Sequence, residues 1–85
     1  MADPVPITVY TREDCHLCDE AVDTLERIAD SEGVEIAIDL VDVDEDSELH
    51  EEYSDRVPYV LVDGTPKFKY RVDPAKARME LKRYS

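Results

Sequence analysis

The chain has 85 residues, 22 of them acidic and 10 basic, for a formal net charge of −12, and 42% are hydrophobic. That length fits one domain with a small core and leaves no room for a second. The acidity weighs against nucleic acid or an anionic membrane as a partner, no apolar run approaches membrane-spanning length, and Met1–Pro6 lacks the apolar centre of a signal peptide.

Met1–Pro4 reads as a short mobile leader. Val5, Ile7 and Val9 then alternate with Pro6, Thr8 and Tyr10, the period of a strand. Beyond Cys15 the period changes. Leu17, Ala21, Val22, Leu25, Ile28 and Ala29 recur at helical spacing, with Asp19, Glu20, Asp23, Glu26, Arg27 and Asp30 on the other face, and Gly33 ends the helix. The only two cysteines, Cys15 and Cys18, lie where strand hands over to helix.

Residues i and i+3 share a helix side, so these two sulfurs can bond with little backbone movement. The first helical turn has unpaired N–H groups and the positive end of the dipole, which favour a thiolate. Cys15, at that end, is the expected nucleophile, and Cys18, one turn deeper, the resolving thiol. The loop between them is too short for much loop-entropy stabilisation, so the pair reads as catalytic or metal-binding, in a reducing, cytoplasmic compartment.

Val34, Ile36, Ile38 and Leu40 alternate with Glu35, Ala37, Asp39 and Val41 as a second strand with one apolar face, parallel to the first across a right-handed crossover. Asp42–Asp46 reads as a solvated acidic connection; without an EF-hand glycine it is not a calcium loop. Ser47 is a fair N-cap for a short helix Glu48–Tyr53 carrying Leu49 and Tyr53. Pro58 cannot donate a ladder bond, so a third strand opens at Tyr59. Asp63-Gly64 signals a hairpin with a return strand over Lys67–Val72. Asp73 and Pro74 are N-cap and first turn of a last helix, with Ala77, Leu81 and Tyr84 as its buried stripe and Lys82 and Arg83 in its final turn. The order β-α-β-α-β-β-α predicts an α/β fold, a four-stranded mixed sheet with three helices on its two faces.

Charge is unevenly placed. Residues 1–55 hold 19 acidic and 2 basic side chains; residues 56–85 hold 3 acidic and 8 basic, a net of +5. Such acidity is typical of halophilic proteins held soluble in high salt, where self-repulsion is screened. The basic final third reads as a solvated strand edge and helix face, or as a dock for an acidic partner.

These residues resemble the glutaredoxin branch of the thioredoxin superfamily over nearly the whole chain. Val9-Tyr10-Thr11-Arg12-Glu13-Asp14-Cys15-His16-Leu17-Cys18 is similar to the family's first strand ending in tyrosine, basic residue three before the first cysteine, and CxxC opening the helix. Val57-Pro58 matches its active-site cis-proline, and Asp63-Gly64 follows the third strand. The resemblance implies a thioredoxin fold and a dithiol–disulfide oxidoreductase: Cys15 attacks and Cys18 releases the reduced product. Pro58 faces the sulfurs and keeps metal away, the Val57 main chain pairs with an extended substrate, and Arg12 stabilises the thiolate and holds a glutathione carboxylate. Two departures stand out. Glutaredoxins hold the glutathione amino end with paired glycines and a following aspartate, absent from Asp63-Gly64-Thr65-Pro66-Lys67, and the dipeptide between the cysteines is His16-Leu17.

His16, if protonated, favours the Cys15 thiolate; otherwise it is an exposed helix residue. Glu13, Asp14, Asp19 and Glu20 oppose the thiolate, weakly in high salt, so that Arg12 and the helix end prevail. Tyr10, Tyr53, Tyr59 and Tyr70 read as core or strand-face residues, with Tyr10 at the rim of the site. The expected protein is a monomer acting on disulfide-bearing proteins or mixed disulfides, with no bound cofactor, re-reduced by glutathione, another small thiol or a flavin-dependent reductase. Competing readings are a metal or iron–sulfur carrier, with Cys15, Cys18, His16 and His50 as candidate ligands, and an adaptor that docks a partner through its basic final third.

Overall fold

A computed structural model describes residues 3–84; of the expected leader, Met1 and Ala2 lie outside the described residues. The elements run β1 (Val5–Thr11), α1 (His16–Glu32), β2 (Ile36–Asp42), a 3-10 turn (Val43–Glu45), α2 (Ser47–Tyr53), β3 (Tyr59–Val62), β4 (Thr65–Lys69) and α3 (Pro74–Lys82). The sheet order is β2-β1-β3-β4, with β1 and β2 parallel and the other two pairs antiparallel. This is the expected four-stranded mixed sheet with three helices, a thioredoxin-like fold.

The alternation in β1 decides which face is the core. Val5, Ile7 and Val9 are buried, and Ile7 and Val9 stand opposite Val62 and Val60 of β3, which are buried too. Onto this face pack Ala21, Leu25, Ile28 and Ala29 of α1 and Ala77 and Leu81 of α3. Each fully buried Leu, Ile or Val contributes about 1.5–3 kcal/mol over its exposed state. On the other face Tyr10 pairs with Tyr59, and Tyr53 of α2 stacks on Tyr10 with centroids 4.6 Å apart. Helices therefore lie on both faces. Gly33, at φ 68°, ends α1: its N–H bonds to Asp30, and the Val34 N–H reaches back to the Ala29 carbonyl.

Several local expectations shift. Leu17 is 50% exposed and Cys18 takes its place at the head of the buried stripe, because one residue earlier on a helix is a turn of about 100° away from the core. β2 is an edge strand, so only Ile36 and Ile38 reach the core and Leu40 remains 57% exposed. The acidic connection is not wholly solvated: Val43 is fully buried and anchors the 3-10 turn. Asp46, not Ser47, caps α2, its Oδ1 accepting from the Glu48 and Leu49 N–H groups. Asp63 and Gly64 both take positive φ and make a two-residue turn, so β4 starts at Thr65, and Tyr70 at φ 71° ends it before Arg71. Tyr84 lies past α3 and is exposed, whereas Ala77 and Leu81 are buried as expected.

Candidate active site

Strand register gathers four loops at one end of the sheet. Tyr10 of β1 stands opposite Val41 of β2 and Tyr59 of β3, and Tyr59 stands opposite Lys69 of β4. The segments just beyond these residues are the Arg12–Cys15 loop, the 3-10 turn, Val57-Pro58 and the Tyr70–Asp73 turn. The Asp63-Gly64 hairpin joins the strands at the opposite end, because Val62 pairs with Ile7 near the start of β1. Asp63–Lys67 therefore lies at the end of the sheet away from the cysteines, and the Tyr70–Asp73 turn lies at the end where they are.

Cys15 is the N-cap of α1, one residue before the first helical one, with φ −95° and ψ 99°. Its Sγ accepts the Cys18 backbone N–H at 3.1 Å, satisfying a donor the helix start leaves free. Cys15 and Cys18 form a disulfide, with Cα atoms 5.2 Å apart. Cys15 is half-buried, whereas Cys18 is 2% exposed. Of the two cysteines, only Cys15 has appreciable exposure to solvent. Asp14, just before it, takes φ 59°, a left-handed conformation that aspartate tolerates better than most residues.

Val57-Pro58 is a cis peptide and Pro58 is fully buried. The Pro58 carbonyl accepts the Tyr70 N–H at 2.9 Å, tying this segment to the turn after β4. Val57 is half-buried, and its main chain makes no hydrogen bond among the described residues.

Arg12 lies in the loop before Cys15, but its Nε is 3.7 Å from Asp44 Oδ2. The other Asp44 oxygen is 3.4 Å from His50 Nε2. All three side chains are substantially exposed, so these contacts are worth tenths of a kcal/mol each. They direct Arg12 toward the 3-10 turn. His16 is exposed at the start of α1, and Glu13, Asp14, Asp19 and Glu20 are exposed around it. No group of three or more His, Cys, Asp or Glu side chains among the described residues is arranged to hold a metal ion.

Two features of this end escape sequence reasoning. One is Asp44, whose position depends on the buried Val43 beside it. The other is the aromatic cluster: Tyr53 lies 5.0 Å from Tyr59, and Tyr10 lies 6.1 Å from Tyr59, centroid to centroid. Burial first, then Glu52 and the neighbouring phenols, raise the Tyr53 hydroxyl above the ordinary tyrosine range. No helix among the described residues is long and apolar enough to cross a membrane.

Among solved structures, the chain is 32% identical to a structural-genomics protein from X. campestris, with TM-score 0.73, covering 88% of this chain and 93% of that one. It is 25% identical to protein Ne2328 from Nitrosomonas europaea, with TM-score 0.76 and 95% of each chain covered. A malaria-parasite thioredoxin-2 shares the fold at 18% identity and TM-score 0.61, covering 98% of this chain and 85% of that one. No curated protein matches. The glutaredoxin-like domain (DUF836) family matches residues 6–82, and the CxxC pair fits a redox role. The chain belongs to the glutaredoxin-like domain (DUF836) family and has a thioredoxin-like fold.

Proposed function

We propose that the protein is a thiol–disulfide oxidoreductase that reduces protein disulfides, or mixed disulfides between proteins and small thiols, through Cys15 and Cys18. The observation that carries this reading is the accessible Cys15 sulfur at the helix N-cap, bonded to a buried Cys18 one turn deeper. In the reduced enzyme, the Cys15 thiolate attacks one sulfur of the substrate disulfide. A mixed disulfide forms, and the other substrate sulfur leaves as a thiolate and takes a proton. Cys18 then loses its proton and attacks the Cys15 sulfur, forming the Cys15–Cys18 bond and expelling the second substrate thiol. Two electrons and two protons pass to the substrate. An external dithiol or two monothiols return the enzyme to its starting state.

The helix end and the Cys18 N–H stabilise negative charge on Cys15. Arg12 adds positive charge in the same loop, shared with Asp44. Val57, with its main chain unpaired, is the segment we assign to hold an extended substrate strand-fashion, with Pro58 beside it. Glutathione, another small thiol and a flavin-dependent reductase are all suitable donors, in a reducing cytoplasm.

The test is a pair of variants assayed on a protein disulfide and on a peptide mixed disulfide. Cys15→Ser abolishes both reductions. Cys18→Ser accumulates the mixed disulfide and retains only monothiol chemistry. Reduction by Cys15→Ser at the wild-type rate overturns the assignment. A redox titration with each donor class identifies the electron source.

A further inference from the structure

A groove of about 580 Å³ lies between α1 and the turn that leads into α3. Leu17, Glu20 and Thr24 line it from α1, and Arg71, Asp73 and Pro74 from the other side. Its lining includes Leu17, one of the two residues between the cysteines. Leu17 is 50% exposed there, a large apolar side chain that the core does not use.

The charges around the groove are unequal. Of the residues that line the groove, Glu20 and Asp73 are acidic and face each other across it, and Arg71 is basic. Glu13, Asp14 and Asp19 do not line it but add exposed carboxylates on the adjoining loop and first turn of α1. None of Glu13, Asp14, Asp19 and Glu20 is in a salt bridge among the described residues, and Asp73 uses one oxygen to cap α3 through the Ala75 N–H. Against these five carboxylates stand Arg71, also without a salt bridge, and the exposed His16 when it is protonated; Arg12 is offset by Asp44, which His50 also approaches. A substrate entering toward Cys15 therefore meets an apolar seat at Leu17 and a net negative field.

Resting on the oxidoreductase reading above, we infer that this groove seats an extended, cationic polypeptide segment next to the target cysteine of a protein disulfide, and selects it over anionic small disulfides. The apolar residue beside the substrate cysteine covers Leu17. Basic residues further along meet Glu20 and Asp73, with Arg71 setting the limit on how much positive charge is favoured. Glutathione, with two carboxylates and one ammonium, carries a net negative charge, so the acidic rim favours it less than a segment bearing several cations.

The test uses two peptides of identical length, each with a leucine beside a cysteine in mixed disulfide with a chromogenic thiol. One is flanked by lysines and the other by glutamates, and dithiothreitol, which is uncharged, recycles the enzyme. Rates are taken over the salt range in which circular dichroism shows the fold intact. The lysine peptide is expected to have the higher kcat/KM by roughly fivefold at the lowest salt, the scale of one well-placed exposed ion pair. That preference shrinks toward unity in about 1 M salt, where the Debye length is about 3 Å. Glu20→Lys reduces or reverses it, and Arg71→Glu increases it. Equal rates for the two peptides, or a glutamate preference, overturn the groove assignment and leave the oxidoreductase reading intact. No rate above the enzyme-free reduction by dithiothreitol for either peptide, with both thiols of the enzyme shown free by alkylation, overturns the oxidoreductase reading itself and the inference with it.

Discussion

Val43 gives the sharpest test of how the active-site end is held. It is fully buried, whereas Leu40, three residues earlier on the expected apolar face of β2, is 57% exposed. Val43→Ala removes two methyl-sized groups, about 1.6 kcal/mol of transfer free energy at about 0.8 kcal/mol per group. The incompletely relaxed cavity takes the total to about 2–3 kcal/mol. In a domain this small each kcal/mol lowers Tm by roughly 4–8 °C, so a drop of about 10–20 °C is expected. Leu40→Ala serves as the contrast, with a change within about 0.5 kcal/mol. The assay is thermal unfolding followed by circular dichroism, with guanidinium unfolding as a second measure of the same difference. If Leu40→Ala costs more than Val43→Ala, β2 presents the face its alternation suggests and the 3-10 turn is not anchored as described. Because Val43 is the neighbour of Asp44, its removal should also loosen the Arg12–Asp44 contact. Peptide-disulfide reduction should then change at temperatures well below the melt.

Tyr53 predicts an alkaline limit to stability. Its hydroxyl is held protonated more tightly in the folded chain than in the unfolded one. The contribution is therefore full below the free phenol value of about 10 and is lost as pH rises through the raised folded value. Tyr53→Phe should flatten the loss of Tm above about pH 10; an unchanged alkaline profile would refute the burial argument. At the start of α2, Asp46→Ala should cost about 1 kcal/mol, and Ser47→Ala much less, because the aspartate oxygen takes both free N–H groups. Equal losses in guanidinium unfolding would return the cap to Ser47. Asp44→Asn should change stability by less than about 0.5 kcal/mol, since its ion pairs are exposed, and a loss above 2 kcal/mol by the same method would contradict that.

The order of elements, the face of β1 that is buried, the Gly33 stop, the Asp73-Pro74 start and the CxxC at a strand–helix junction were all legible in the chain. Each is local: alternation, helical spacing, capping chemistry and turn residues act over a few neighbours, and those neighbours are adjacent in sequence. The position of Cys15 at the helix start was legible for the same reason. Other features were decided across the sheet. Leu40 and Val43 exchanged burial because β2 lies at an edge, a property that depends on which strands pair and not on the residues of β2. Arg12 met Asp44, and Tyr10 met Tyr53 and Tyr59, across 32 to 49 residues of chain, through the register of β1 with β2 and β3. The groove beside Leu17 belongs to this second kind: its walls are α1 and the Arg71–Pro74 turn, about 50 residues apart in the chain, and the turn follows Tyr70, at positive φ. Local chemistry set the reactive pair of sulfurs, and long-range pairing chose the surface they present to a partner.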